Sequence, residues 1–205
     1  FTELSVDGGA TWIPSAGPGR VELAQQELIS AAGTAVEHVY FEGDEGVAHD
    51  DDGDGLDEVN TEIVSLDLRG YSSMGPVSVG LRSDVPSLGQ ITELQQTVPG
   101  TLDIAPFTSG GLADSFFDVW TEITVNGQTL VVDEPIRIGT TIAHKPPQDG
   151  ERYVSPYATR VELIDPLTGA GTGIYVIRQI NQPDSAIEVD IFEDTTALVT
   201  LVGGP

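Results

Sequence analysis

The sequence has no cysteine, which removes disulfides, thiolate metal sites and cysteine nucleophiles together. It is also poor in positive charge: lysine plus arginine total 8, Lys145 being the only lysine, against 33 acidic residues. The formal net charge of -25 and a pI near 4.1 describe a surface that repels phosphate backbones and anionic lipid, which argues against nucleic acid as a partner. No stretch approaches the ~18 consecutive apolar residues of a membrane-spanning helix. The histidines, His38, His49 and His144, are scattered with no His-x-x-x-His pair, so nothing points to catalytic zinc. A phosphate-cradling Gly-Lys-Ser/Thr loop and a dinucleotide fingerprint are both lacking. In Gly70-Tyr71-Ser72-Ser73-Met74-Gly75, Met74 stands where a nucleophile elbow needs its second glycine. A chain that opens on Phe1 with no basic-then-apolar leader reads as a mature or excised fragment.

What is there reads as strands and turns. Hydrophobic residues at 39% and a mean hydropathy of -0.02 exclude a disordered tail. The 205 residues can bury a core as one large β domain or as two small packed ones. Residues 37–41, 61–68, 77–81, 116–125, 129–132, 160–164, 174–180, 187–192 and 197–202 are short runs rich in β-branched and aromatic side chains. Each is bounded by Gly, Pro, Asn or Asp. The expected fold class is therefore all-β, an antiparallel β-sandwich over residues 1–205 with long loops and a soft sub-domain boundary near residues 99–111. Asn126-Gly127, between Trp120-Thr121-Glu122-Ile123-Thr124-Val125 and Gln128-Thr129-Leu130-Val131-Val132, predicts a type I′ hairpin. A second hairpin is expected from residues 160–164 into residues 172–180. Residues 21–32, where Leu23, Leu28 and Ile29 could share a face, read either as a helix or as further strand. Residues 144–156, with Pro146, Pro147 and Pro156, read as a long surface loop.

The chemistry concentrates in His49-Asp50-Asp51-Asp52-Gly53-Asp54-Gly55-Leu56-Asp57-Glu58-Val59-Asn60-Thr61-Glu62. With Asp50 as position 1, Asp52, Asp54, the Leu56 carbonyl and Glu58 fall at positions 3, 5, 7 and 9, the ligand pattern of an EF-hand type calcium loop, with Gly55 at the sharp turn. Calcium is a hard ion that takes six to eight oxygens, and alternate short carboxylates can wrap one ion. Position 12 holds Thr61 where a bidentate Glu is expected, leaving Glu62 as a substitute. His49 reads as a solvated flank, since imidazole is a poor calcium ligand.

The flanks of this loop read as strands, so it resembles the Asp-x-Asp-Gly-Asp-Gly loops of thrombospondin type 3 repeats and dockerins, which share the loop without the paired-helix frame. The resemblance implies a structural ion. Ser5-Val6-Asp7-Gly8-Gly9-Ala10-Thr11-Trp12 is similar to the Asp box of sialidases and other secreted β-propellers, where its role is structural; one box in this chain does not make a propeller. Residues 50–68 with Gly75-Pro76-Val77-Ser78-Val79, and Ala113-Asp114-Ser115-Phe116-Phe117-Asp118-Val119 with Glu134-Pro135-Ile136-Arg137, resemble modules of large secreted proteins of environmental bacteria. That likeness implies an extracellular, cell-surface or periplasmic setting and no activity.

Together these readings give a non-enzymatic, calcium-stabilised structural or interaction module whose partners are other subunits or copies of itself. The termini, residues 1–6 and 195–202, are the candidate joining segments. A carbohydrate- or other ligand-binding module is the alternative, with Trp120, Tyr153 and Tyr157 as a candidate platform. A glycoside hydrolase would need two acids facing one pocket.

Overall fold

The structure, a computed structural model, describes residues 3–4, 13–14, 26–148 and 151–183. In chain order its strands are β1 (Glu3–Leu4), β2 (Ile13–Pro14), β3 (Ala31–Tyr40), β4 (Glu58–Ser72), β5 (Gly75–Leu81), β6 (Ser87–Glu93) and β7 (Ala113–Val119). There follow β8 (Thr121–Val125), β9 (Gln128–Val132), β10 (Ile136–Ile142), β11 (Tyr153–Val154), β12 (Val161–Ile164), β13 (Gly171–Val176) and β14 (Ile180–Asn181). No helix occurs among the described residues, and every strand pair is antiparallel. The chain is all-β, as its sequence reads. Among the described residues β1 pairs only with β2, and residues 5–12, which carry the Asp box, lie outside the described residues. So do the expected strands at residues 187–192 and 197–202.

β4 is the spine of the large sheet. On one edge it carries β3 along most of its length, from Tyr40 opposite Asn60 to Ala31 opposite Gly70. The other edge is shared: residues 58–63 pair with β6 and residues 67–72 with β5. Two wings therefore leave this one edge from different stretches of β4, β6-β7-β10-β11-β14 and β5-β8-β9-β12-β13. One contiguous core draws Ile91, Phe117, Val119 and Ile138 from the first wing and Leu130, Val132, Val161 and Leu163 from the second. The wings thus close on a shared apolar filling, as the layers of a sandwich do. Leu102 and Ile104, from residues 99–111, are fully buried in the same core.

The chain passes between wings at a packed corner. Residues 116–125 read as one strand but are divided at Trp120, because β7 belongs to one wing and β8 to the other. The Trp120 N–H donates to Ser87 Oγ (3.0 Å), its carbonyl accepts from the Arg82 N–H (2.9 Å), and the Arg82 guanidinium sits 5.1 Å over the indole. Both crossing segments are pinned to each other there, which satisfies backbone groups that neither wing can pair.

Of residues 21–32, residues 21–25 lie outside the described residues, while 26–30 are irregular and 31–32 belong to β3, so the described part is not helical. Leu28 is 94% exposed there. The Asn126-Gly127 hairpin forms as expected: φ is 48° at Asn126 and 83° at Gly127, and β8 pairs with β9 from Val125 opposite Gln128 to Glu122 opposite Val131. A Cβ at Gly127 would meet nothing within 4 Å. The cost of Gly127→Val is therefore expected to be the left-handed backbone alone, about 1–2 kcal/mol, read as a lowered denaturation midpoint. An unchanged midpoint would show that the turn does not hold these angles in solution. The second hairpin also forms, with β12 and β13 joined through a bulge at Leu163/Ile164.

Candidate metal centre

The acidic loop is closed at its neck by backbone pairing of His49 with Glu58: the Glu58 N–H donates to the His49 carbonyl at 2.9 Å, and the return bond is 3.4 Å. Within the neck the short side chains bond the backbone ahead of them. Asp50 accepts from the Gly53 N–H (Oδ1, 2.7 Å) and the Gly55 N–H (Oδ2, 3.0 Å). Asp52 Oδ1 accepts from the Asp54 N–H (3.0 Å), and Asp54 Oδ1 from the Leu56 N–H (2.9 Å). This ladder of side-chain turns is what Asp at every second position can build. Gly53 and Gly55 take φ of 83° and 93°, the left-handed region that glycine adopts without strain.

The result gathers Asp50, Asp52 and Glu58, one carboxylate oxygen of each lying within 4.8 Å of the other two. Two oxygens on one calcium lie at most about 5 Å apart, given Ca–O distances of about 2.3–2.6 Å. These three residues could therefore hold one metal ion. Asp50 and Asp52 are exposed, whereas Glu58 is buried. Glu58 Oε1 accepts from the Asp51 N–H (3.1 Å), but Oε2 is buried without a partner among the described residues. Burial, and then the charges of Asp52, Asp51 and Asp50, raise the Glu58 carboxyl above its ordinary range against the opposing Asp51 N–H. An orphaned carboxylate oxygen in an acidic, partly dry site is where a hard cation fits.

The other candidates are placed differently. Asp54 bonds the Leu56 N–H and is not grouped with the three. Thr61, at position 12, is buried in β4, its Oγ1 facing the place where a Gly89 side chain would be. Glu62 also sits on β4, opposite His38 and Leu88, and accepts a bond from the Tyr40 hydroxyl (2.7 Å). It lies outside the cluster because the strand that follows the loop begins at Glu58 and carries later side chains away from the neck. His49 leans toward Glu42 (3.6 Å).

Directly behind the loop lies a buried acidic network that the sequence does not announce. Asp57 Oδ2 accepts from Gln96 Nε2 (2.8 Å) and from the Gly100 N–H (2.6 Å). Glu93 accepts the Asp57 N–H (3.1 Å) on one oxygen and the Asp103 N–H (3.2 Å) on the other. Asp103 Oδ2 in turn accepts from the N–H groups of Thr97 and Val98. All three acids are at most 5% exposed. They fasten residues 96–103 to the base of the metal loop, and Asp57 adjoins Glu58 in the chain.

Burial raises Glu93 above the usual carboxylate range despite its two N–H donors. Burial also pushes Asp103 up, but the hydrogen bonds from Thr97 and Val98 outweigh it and hold the group below its ordinary value. The raised Glu93 contributes stability below its unfolded pKa that is lost as pH rises through its folded value. The depressed Asp103 contributes stability above its unfolded pKa that is lost as pH falls through its folded value. A carboxyl-detected NMR titration is expected to place the Glu93 midpoint above, and the Asp103 midpoint below, the ordinary values of about 4.3 and 3.9. The reverse order would contradict the network.

The candidate carbohydrate platform is not assembled. Tyr153 is buried against Phe117 and bonds Ser115 Oγ, Trp120 packs at the wing corner, and Tyr157 alone is 90% exposed, under the Arg178 guanidinium. A cavity of about 560 Å³ opens where β4 passes from β6 to β5; it is lined by Glu62 and Asp84, of which Asp84 is paired with Arg82.

No family model and no curated protein matches the chain. Among solved structures, DynF from the dynemicin biosynthesis pathway of Micromonospora chersina is similar at 18% identity and a TM-score of 0.44, over 62% of this chain and 56% of that one. The chain thus spans little more than half of DynF, a likeness too slight to assign a role.

Proposed function

We propose that this chain is a calcium-stabilised structural or interaction module of an extracellular or cell-surface assembly, working through its surfaces and not through catalysis. The observation that carries the reading is the unpartnered, buried Glu58 oxygen beside Asp50 and Asp52 at single-ion spacing. In a chain of net charge -25, a divalent cation relieves repulsion at the loop and fixes the neck from which β4 starts. The sheet spine is thereby tied to its most acidic loop, a staple of the kind that disulfides provide elsewhere and that this cysteine-free chain lacks. Calorimetric titration is expected to show one calcium site with a dissociation constant of ~10⁻⁴ to 10⁻³ M, the range of extracellular modules. Asp50→Asn with Asp52→Asn should weaken it at least tenfold. Equal calcium binding by the double variant would place the ion elsewhere.

A further inference from the structure

We infer that the cavity at the open end of the β6–β7 ladder is a binding site for an aliphatic cation, an ammonium or guanidinium head on an apolar stem, with Asp103 as its anionic anchor. The paired strands end where Glu93 faces Ala113, and the Leu94 N–H donates once more to the Leu112 carbonyl (2.8 Å). Beyond that bond the chain parts around a cavity of about 330 Å³, near the small end of the ~300–1,000 Å³ range of ligand pockets.

Asp103 borders this cavity and joins its two sides. Its carbonyl lies so close to Gly111 that a Cβ there would meet the oxygen at 1.8 Å, and its Oδ2 accepts from the Thr97 N–H across the cavity wall. The residue is 2% exposed, yet Oδ1 has no hydrogen-bond partner among the described residues. Burial pushes this carboxyl up, but the bonds from Thr97 and Val98 outweigh it and keep the group anionic at neutral pH. A buried anionic oxygen without a donor is destabilising, and a charged donor seated in the cavity satisfies it.

The walls select the kind of cation. Among the described residues Asp103 is grouped with no other carboxylates at single-ion spacing, and both Glu93 oxygens already accept N–H bonds. A calcium ion, which takes six to eight oxygens, finds too few here. An ammonium or guanidinium head needs one carboxylate for a charge-assisted bond. Leu94 and Leu112, 47% and 50% exposed, supply apolar surface along which an aliphatic stem can lie. Oδ1 is itself buried, so seating a head on it requires the rim to open, which half-exposed side chains allow. The net charge of -25 draws every cation toward this surface, so discrimination rests on the stem. The same head and stem occur on a lysine or arginine of a partner protein and on a free aliphatic amine.

The test is an amide-shift NMR titration of the full chain in chelator, with n-butylammonium, methylammonium and neutral n-butanol as probes. Butylammonium is expected to shift the amides of Thr97, Val98, Gly111 and Leu112 saturably. Methylammonium should bind at least about threefold more weakly for lack of the stem, and butanol should leave these amides unmoved. Asp103→Asn keeps an oxygen for the Thr97 and Val98 N–H groups and should weaken butylammonium at least about tenfold, because the charge-assisted bond is lost. If that variant does not fold, Leu94→Ala with Leu112→Ala, confined to half-exposed side chains, gives the second reading, a loss of about threefold. A capped Gly-Gly-Lys-Gly-Gly peptide separates the two sources: affinity at least that of butylammonium assigns a partner's side chain, and weaker affinity a free amine. Equal affinity for methylammonium and butylammonium, or shifts spread over the acidic surface with none at Thr97 and Gly111, would mean counter-ion attraction alone and overturn the assignment. Butylammonium affinity unchanged in the folded variants would overturn it equally. With chelator present throughout, the outcome does not depend on whether Asp50, Asp52 and Glu58 hold calcium, so failure of this site and failure of the metal site are distinguishable.

Discussion

Asp57→Ala is expected to lower stability by about 3 kcal/mol, although the Asp57 carboxylate bonds none of the three grouped ligands. Its Oδ2 is the acceptor for the Gly100 N–H and for Gln96 Nε2. Removing it strips two part-buried donors of their acceptor, and each group left unsatisfied away from water costs about 1–3 kcal/mol. Gln96 Oε1 already lacks a partner, so that side chain would lose its anchor. In a domain of this size the change corresponds to roughly 6–12 °C in melting temperature. Exchange of the amides at residues 96–103 should accelerate with it, since those residues hang from Asp57, Glu93 and Asp103. A variant that melts like the native chain would show that the network is not what holds the second loop.

Glu58→Gln separates the cost of the empty site from the benefit of filling it. Glutamine keeps an acceptor for the Asp51 N–H, and its amide can donate to the Asp50 or Asp52 carboxylate nearby. In chelator the variant is therefore expected to be as stable as the native chain or more so, because a buried charge among like charges has been neutralised. In calcium the order reverses. The native chain gains ~2.7 kcal/mol at roughly 100-fold excess over its dissociation constant, and the variant, without its buried anionic ligand, gains little. Denaturation of both proteins under both conditions gives the four values needed. A variant less stable by the same amount with and without calcium would mean that Glu58 serves packing alone.

The all-β class, the two hairpins and the acidic loop were legible because each has a local cause: Asn126-Gly127 needs positive φ, and alternate Asp builds side-chain turns. β10 was not, although Ile136, Ile138 and Ile142 are all buried: Gly139 and the two threonines after it break the apolar alternation. Nor was β6. Its inward residues are Ser87, Gly89, Ile91 and Glu93, so three of the four buried positions carry no apolar side chain and no hydrophobic alternation exists to be read. The same long-range partners that bury Glu93 also create the Asp57–Glu93–Asp103 network, which joins residues as far as 43 positions apart. Asp57 looked like one more acid of the loop; only the return of residues 96–103 gives it a different role. Glu62 misled for the converse reason: spacing along the chain places it one residue from the twelfth position, whereas β4 turns it toward Tyr40.

Stabilisation of the fold by a cation at Asp50, Asp52 and Glu58 is tested most directly by scanning calorimetry of the full chain, once with calcium at roughly 100-fold over its dissociation constant and once with chelator. The melting temperature is expected to be higher in calcium by roughly 5–11 °C, from ~2.7 kcal/mol of linkage at about 2–4 °C per kcal/mol. The same melting temperature under both conditions would contradict it.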